Sequence, residues 1–198
     1  IFGPQSDSDV DLGTTGVRWK DAFIDTITTT GAITAAGLMT VNAGIKFPAS
    51  QAASSDANTL DDYEVGTFTP VLGGAGGTSG QSYGLQGGNY TKIGDRVFID
   101  ANTSFQTEGT ITGGLQVQGL PFTCKSGSSA YRASASHSYI YGFSCSSGET
   151  MINSTLNENS AHINVGESDI TGGEAWVQLT GSNTGNTTEL FTSINYRV

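Results

Sequence analysis

Ile27-Thr28-Thr29-Thr30-Gly31-Ala32-Ile33-Thr34-Ala35-Ala36-Gly37-Leu38-Met39-Thr40-Val41-Asn42-Ala43-Gly44-Ile45-Lys46-Phe47 is the stretch that decides the fold. Its odd positions are apolar or small: Ile27, Ile33, Met39, Val41, Ile45 and Phe47 stand among glycines and alanines. Its even positions are mostly polar, with Leu38 the clear exception. Period-two patterning of this kind marks extended chain with one wet face. The run is 21 residues long, far beyond the usual strand of about 5–6 residues, and fully extended it would span roughly 70 Å. Gly31, Gly37 and Gly44 are expected to bend it. A single ribbon has nothing of its own to pack against, and an uncovered apolar edge invites other chains. Small residues facing an axis suit strands wound closely together. The expectation is a slender intertwined stem of three chains, with Ile27, Ile33, Met39, Val41, Ile45 and Phe47 as the core of a homotrimer. The alternative is a hairpin meander lying on the main domain.

Composition agrees with extended structure. Among 198 residues, 28 Gly, 22 Ser and 26 Thr make 76, or 38%, whereas Leu, Lys, Glu and Arg, the residues of helical bundles, are scarce. Only 13% of the chain is charged, about half the usual share. The net charge of −10 comes with no basic stripe, which argues against nucleic acid. Anionic membrane surfaces would repel such a chain, and no apolar run reaches the length of a spanning helix. The first residue is Ile, and no secretory leader opens the sequence. The chain therefore reads as a fragment whose N-terminal part has been removed, with a natural C-terminus.

Residues 48–64 read as a connector, and residues 1–64 together as stem and connector. Within them, Trp19, Phe23 and Ile24 form an apolar cluster at helical spacing, and Asn58 or Thr59 could cap a short turn. From residue 65 to 198 short alternating runs follow one another. The clearest is Val97, Ile99, Ala101, Thr103 and Phe105 on one side. Gly73 to Gly88 reads as a glycine-rich loop. Eight to ten strands suit an antiparallel β-sandwich of jelly-roll type. The fold class expected is thus all-β.

The residues offer little chemistry. His137 and His162 stand apart, and neither a hydrolase nucleophile motif nor a phosphate loop occurs. Asp61, Asp62 and Glu64 read as a solvated acidic collar, with no metal, cofactor or catalytic residue assigned. Cys124 and Cys145 could pair or could be two small buried apolar residues. Flat rings stack on sugar faces, so loop aromatics Tyr83, Tyr131 and Trp176 are the candidate sugar-binding contacts. Tyr139, Tyr141 and Phe143 alternate on a strand and are expected in the core.

Four segments carry a resemblance. Leu12 to Asp25, Asn58 to Pro70, Gly88 to Val97 (a strand–turn–strand) and Gly119 to Thr123 resemble, in order, stretches of the distal part of tail fibres of tailed bacteriophages. The resemblance implies a trimeric, non-catalytic fibre tip on the virion, assembled in the host cytoplasm and joined to the rest of the fibre on its N-terminal side. It implies attachment to a host-surface glycan or protein. A purely structural spike segment is the second reading, and a polysaccharide depolymerase the third.

Overall fold

The computed structural model describes residues 24–51, 54–56, 59–145, 150–169 and 176–198. Trp19, Phe23 and Asn58 lie outside the described residues. The chain divides into two compact units, Ile1–Ile45 and Lys46–Val198.

In the first unit, residues 24–45 form no strand ladder and every one is exposed. The apolar series stands in solvent: Ile27 is 63% exposed, Ile33 62%, Met39 55%, Val41 45% and Ile45 67%. The chain bends at residues 30–31, 36–37 and 42–43, at intervals of six. Ile27, Ile33, Met39 and Ile45 recur at that same interval. The Thr29 hydroxyl donates to the Gly31 carbonyl (3.0 Å) at one bend. Phe47 falls in the second unit, where its ring lies 6.2 Å from that of Tyr63.

The second unit is a curled antiparallel sheet. β1 (Tyr63–Phe68), β4 (Ser82–Ile93), β5 (Arg96–Thr107), β12 (Glu189–Arg197) and β8 (Ala133–Tyr141) follow in spatial order. The path continues through β9 (Thr150–Leu156), β10 (Ile163–Asp169), β7 (Leu115–Gln118) and β2 (Val71–Gly74), with β11 (Val177–Gln178) beside β10. A small ribbon of β3 (Gly77–Ser79) and β6 (Thr110–Thr112) stands apart. The strands make one continuous path where two separate jelly-roll sheets were expected, because β8 belongs to both halves. Its residues Ala133–Ala135 pair with β9, and Ser136 onward pairs with β12. A strand that changes partners forms a corner, and the two halves close on one core.

Alternation explains the core. Val97, Ile99, Ala101, Thr103 and Phe105 all point inward and are buried, as expected. Leu190, Thr192, Ile194 and Tyr196 do the same on β12. Leu72, Leu115, Val117, Leu156, Ile163 and Val165 face them from the other half. The Gly94 turn, with φ +56°, closes the β4–β5 hairpin where the sequence resembled a strand–turn–strand.

Two local readings are corrected. Gly73 to Gly88 is mostly strand, within β2, β3 and β4. Glycine serves there because the β3–β6 ribbon presses close: a Cβ on Gly74 would collide with the Thr112 carbonyl. Tyr139 and Tyr141 are 46% and 54% exposed, outside the core. The β12–β8 register shifts between Phe191 and Thr192, so Thr192 faces His137 while Phe191 faces Tyr139. The shift carries Tyr139 out of the row that buries His137.

Candidate functional site

The partner change in β8 opens a cleft. Below Ser136, β8 leaves β12 to join β9. Two adjoining hollows of about 280 Å³ and 300 Å³ fill the gap. Arg96, Tyr131, Arg132, Asn195 and Arg197 line the first, and Phe98, Asp100, Ser134, Ser136 and Ser193 the second.

Three of the four arginines (Arg96, Arg132 and Arg197, leaving only Arg18) meet at this end of the sheet. Arg96 opens β5 and Arg197 closes β12, and the two are direct cross-strand partners. Opposed residues project from the same face, and like charges so placed repel. The Arg96 guanidinium donates to Asn195 Oδ1 at 3.0 Å. Arg197 lies 3.5 Å from Asp95 Oδ2 and shares that carboxylate with Lys125 at 3.8 Å. These side chains are all two-fifths exposed or more, so the pairs hold little energy. Arg132 follows the short turn Ser129–Tyr131 and has no ion-paired or hydrogen-bonded side-chain partner among the described residues.

The same outer face continues along β12 as Asn195, Ser193, Phe191 and Glu189. Phe98, Asp100 and Asn102 oppose the first three from β5. The Ser193 hydroxyl donates to Asp100. At the far end Tyr139 and Tyr141 stack at 6.4 Å and 18°, and Phe191 lies 5.4 Å from Tyr139. From Arg197 to Phe191 is six residues of strand, roughly 20 Å. The face is a trough at its arginine end, where the two hollows lie, and runs on past hydroxyls and an amide to the three rings at the other.

The structure separates the three candidate aromatics. Tyr131 lines the arginine hollow, with the Lys125 ammonium 5.7 Å from its ring centre. Tyr83 is set against Phe105 at 5.2 Å, and its hydroxyl donates to the Leu72 carbonyl at 3.2 Å. Burial pushes that phenol up to about 12. Trp176 covers Gly166 of β10, where a Cβ would collide with the indole. Sequence reasoning passed over the arginines, which are 36 to 101 positions apart and meet only through strand pairing.

Other groups are satisfied internally. Asp62, expected in a solvated collar, is instead 8% exposed and pairs with Lys92, itself 7% exposed. Glu64 accepts from the Tyr90 hydroxyl. No disulfide joins Cys124, which is buried, to Cys145, which is exposed. Among the described residues no three His, Cys, Asp or Glu side chains gather as a metal site would require.

No protein-family model matches the chain, and no curated protein matches it in sequence. Among solved structures, the Dettilon tailspike protein (gp208) is similar, with a TM-score of 0.52 over 68% of this chain at 20% identity. The match spans 24% of that protein's chain. At this identity the likeness is one of fold.

Proposed function

We propose that this chain is the host-recognition part of a bacteriophage tail fibre or spike, working as a non-catalytic homotrimer on the virion. The observation that carries the reading is the curled sheet, whose fold is shared with part of a tailspike protein. The phage-fibre resemblance of four sequence segments agrees with it. The unpartnered seam of residues 24–45 supports the trimer. Bends every six residues give short extended segments, each bearing one Ile or Met and each lacking a strand partner. Three copies wound together would supply the missing ladders and cover the side chains. Trimerisation also multiplies weak contacts at separate heads into firm attachment.

The test is paired. Light scattering should give three times the chain mass of 20.4 kDa, and the purified protein should compete with phage for adsorption to host cells. A concentration-independent monomer would refute the seam argument. A trimer that neither binds cells nor competes would leave a structural spike segment as the role. Reducing ends released from host polysaccharide would make it a depolymerase.

A further inference from the structure

We infer that the trough between β12 and β8 binds an acidic heteropolysaccharide, with an oxyanion of the sugar chain seated on Arg96, Arg132 and Arg197. The inference rests on the recognition role proposed above and names the ligand class for it.

The argument begins with charge. The chain carries −10 overall, yet three arginines line one small hollow. Arg96 and Arg197 oppose each other directly across a strand pair, a like-charge pairing that an anion seated between them would relieve. Asp95 offsets part of this charge, but it is drawn to Arg197 and Lys125 and leaves Arg132 unpaired. Guanidinium groups hold carboxylates and phosphates through two parallel hydrogen bonds, and more firmly than ammonium groups do. The hollow therefore fits a single oxyanion.

The rest of the trough says what bears that anion. Beyond the arginines come Asn195, Ser134, Ser136, Ser193 and Asp100. Hydroxyls and amides both donate and accept, as sugar hydroxyls require, and Asp100 accepts only. A uniformly anionic polymer would be repelled by Asp100 and by Glu189 further along. A chain alternating anionic and neutral sugars would not. Tyr139, Tyr141 and Phe191 then offer ring faces for the apolar side of a sugar. Single-stranded nucleic acid also stacks on rings, but it would bring a phosphate to every position, including those beside the carboxylates.

The experiment is isothermal titration of the full chain with polysaccharides of defined repeat. One arm uses a heteropolymer with one uronate per repeat, one a heteropolymer with one phosphodiester per repeat, one neutral dextran and one poly-glutamate. Either acidic heteropolymer should bind, weakening as salt rises, and the arm that binds identifies the source of the oxyanion. Arg132→Gln should weaken it tenfold or more, and Tyr139→Ala should do likewise. Lys46→Ala, which removes one positive charge elsewhere, should change it less than twofold. Dextran binding as tightly, poly-glutamate binding more tightly, or indifference to Arg132→Gln would each overturn the inference. Circular dichroism of each variant excludes misfolding as the cause. If the protein adsorbs to host cells and Arg132→Gln does so equally well, the ligand class is wrong while the recognition role stands. If it binds the acidic polymer but never host cells, the recognition role fails instead.

Discussion

Lys92 and Asp62 form the one strongly buried ion pair among the described residues, joining the segment before β1 to the hairpin strand β4. Burying two charges costs several kcal/mol each, and their attraction repays it only while both remain. Asp62→Ala leaves the ammonium alone beneath the Phe122 ring, which lies 5.8 Å from it. The expected loss is about 3–5 kcal/mol, read as a lower urea midpoint with unchanged slope. Asp62→Ala with Lys92→Met should recover much of it, since two apolar residues carry no uncompensated charge. Asp61, one position earlier, has its carboxyl held below the usual range by the Ser54 amide at 2.8 Å. It is only partly buried, and Asp61→Ala should be mild. Adjacent acids in the sequence thus have different fates, and the sequence alone reads both as solvated.

At the level of elements, alternation was legible where one sheet face is buried along its whole length. Val97 to Phe105 is the clear instance. It misled at Tyr139 and Tyr141, because β8 itself carries an extra residue, Ser138, against β12, which moves the side chains beyond it to the other face and leaves no mark on composition. It missed β3 and the first half of β4 because glycine suggests a loop, whereas Gly84 and Gly87 stand in strand with open space around them and Gly74 of the adjoining β2 is required by close backbone approach. The arginine hollow was illegible for a different reason: it depends on which strands become neighbours. The seam allows a test at this scale. Val41 is 45% exposed and Leu38 95% exposed in the single chain. Val41→Asp would put a charge on the inner face of the wound stem, at a cost of several kcal/mol once desolvated. Sedimentation should show the trimer of Val41→Asp dissociating at concentrations where Leu38→Asp stays assembled. Equal behaviour of the two would place the axis on the other face.

Over the whole head, His137 ties the two halves of the sheet together. Its Nδ1 meets the Thr192 hydroxyl of β12 at 3.1 Å, and its Nε2 meets the Ser154 hydroxyl of β9 at 2.9 Å. Burial holds its pKa below the ordinary 6.5, so the native ring stays neutral, donating at one nitrogen and accepting at the other. The unfolded chain takes up a proton more readily than the native one. Stability is therefore complete above about pH 6.5 and declines as acid drives the ring through its lower native value. Melting temperature should begin to drop as pH falls below about 6.5, ahead of carboxylate titration. His137→Gln should flatten that decline. His162, whose pKa burial also lowers, contributes in the same sense. A variant as acid-sensitive as the parent would assign the effect to other groups.

β8 has one further consequence. Because it is a shared rail, with β9 on one side for its first three residues and β12 on the other for the rest, neither half of the head can peel away without stripping the other of an edge. Heat should consequently melt the head in a single step. A sugar chain clasped at the fork would draw the two lips together and brace the molecule at the point where it would otherwise begin to unzip.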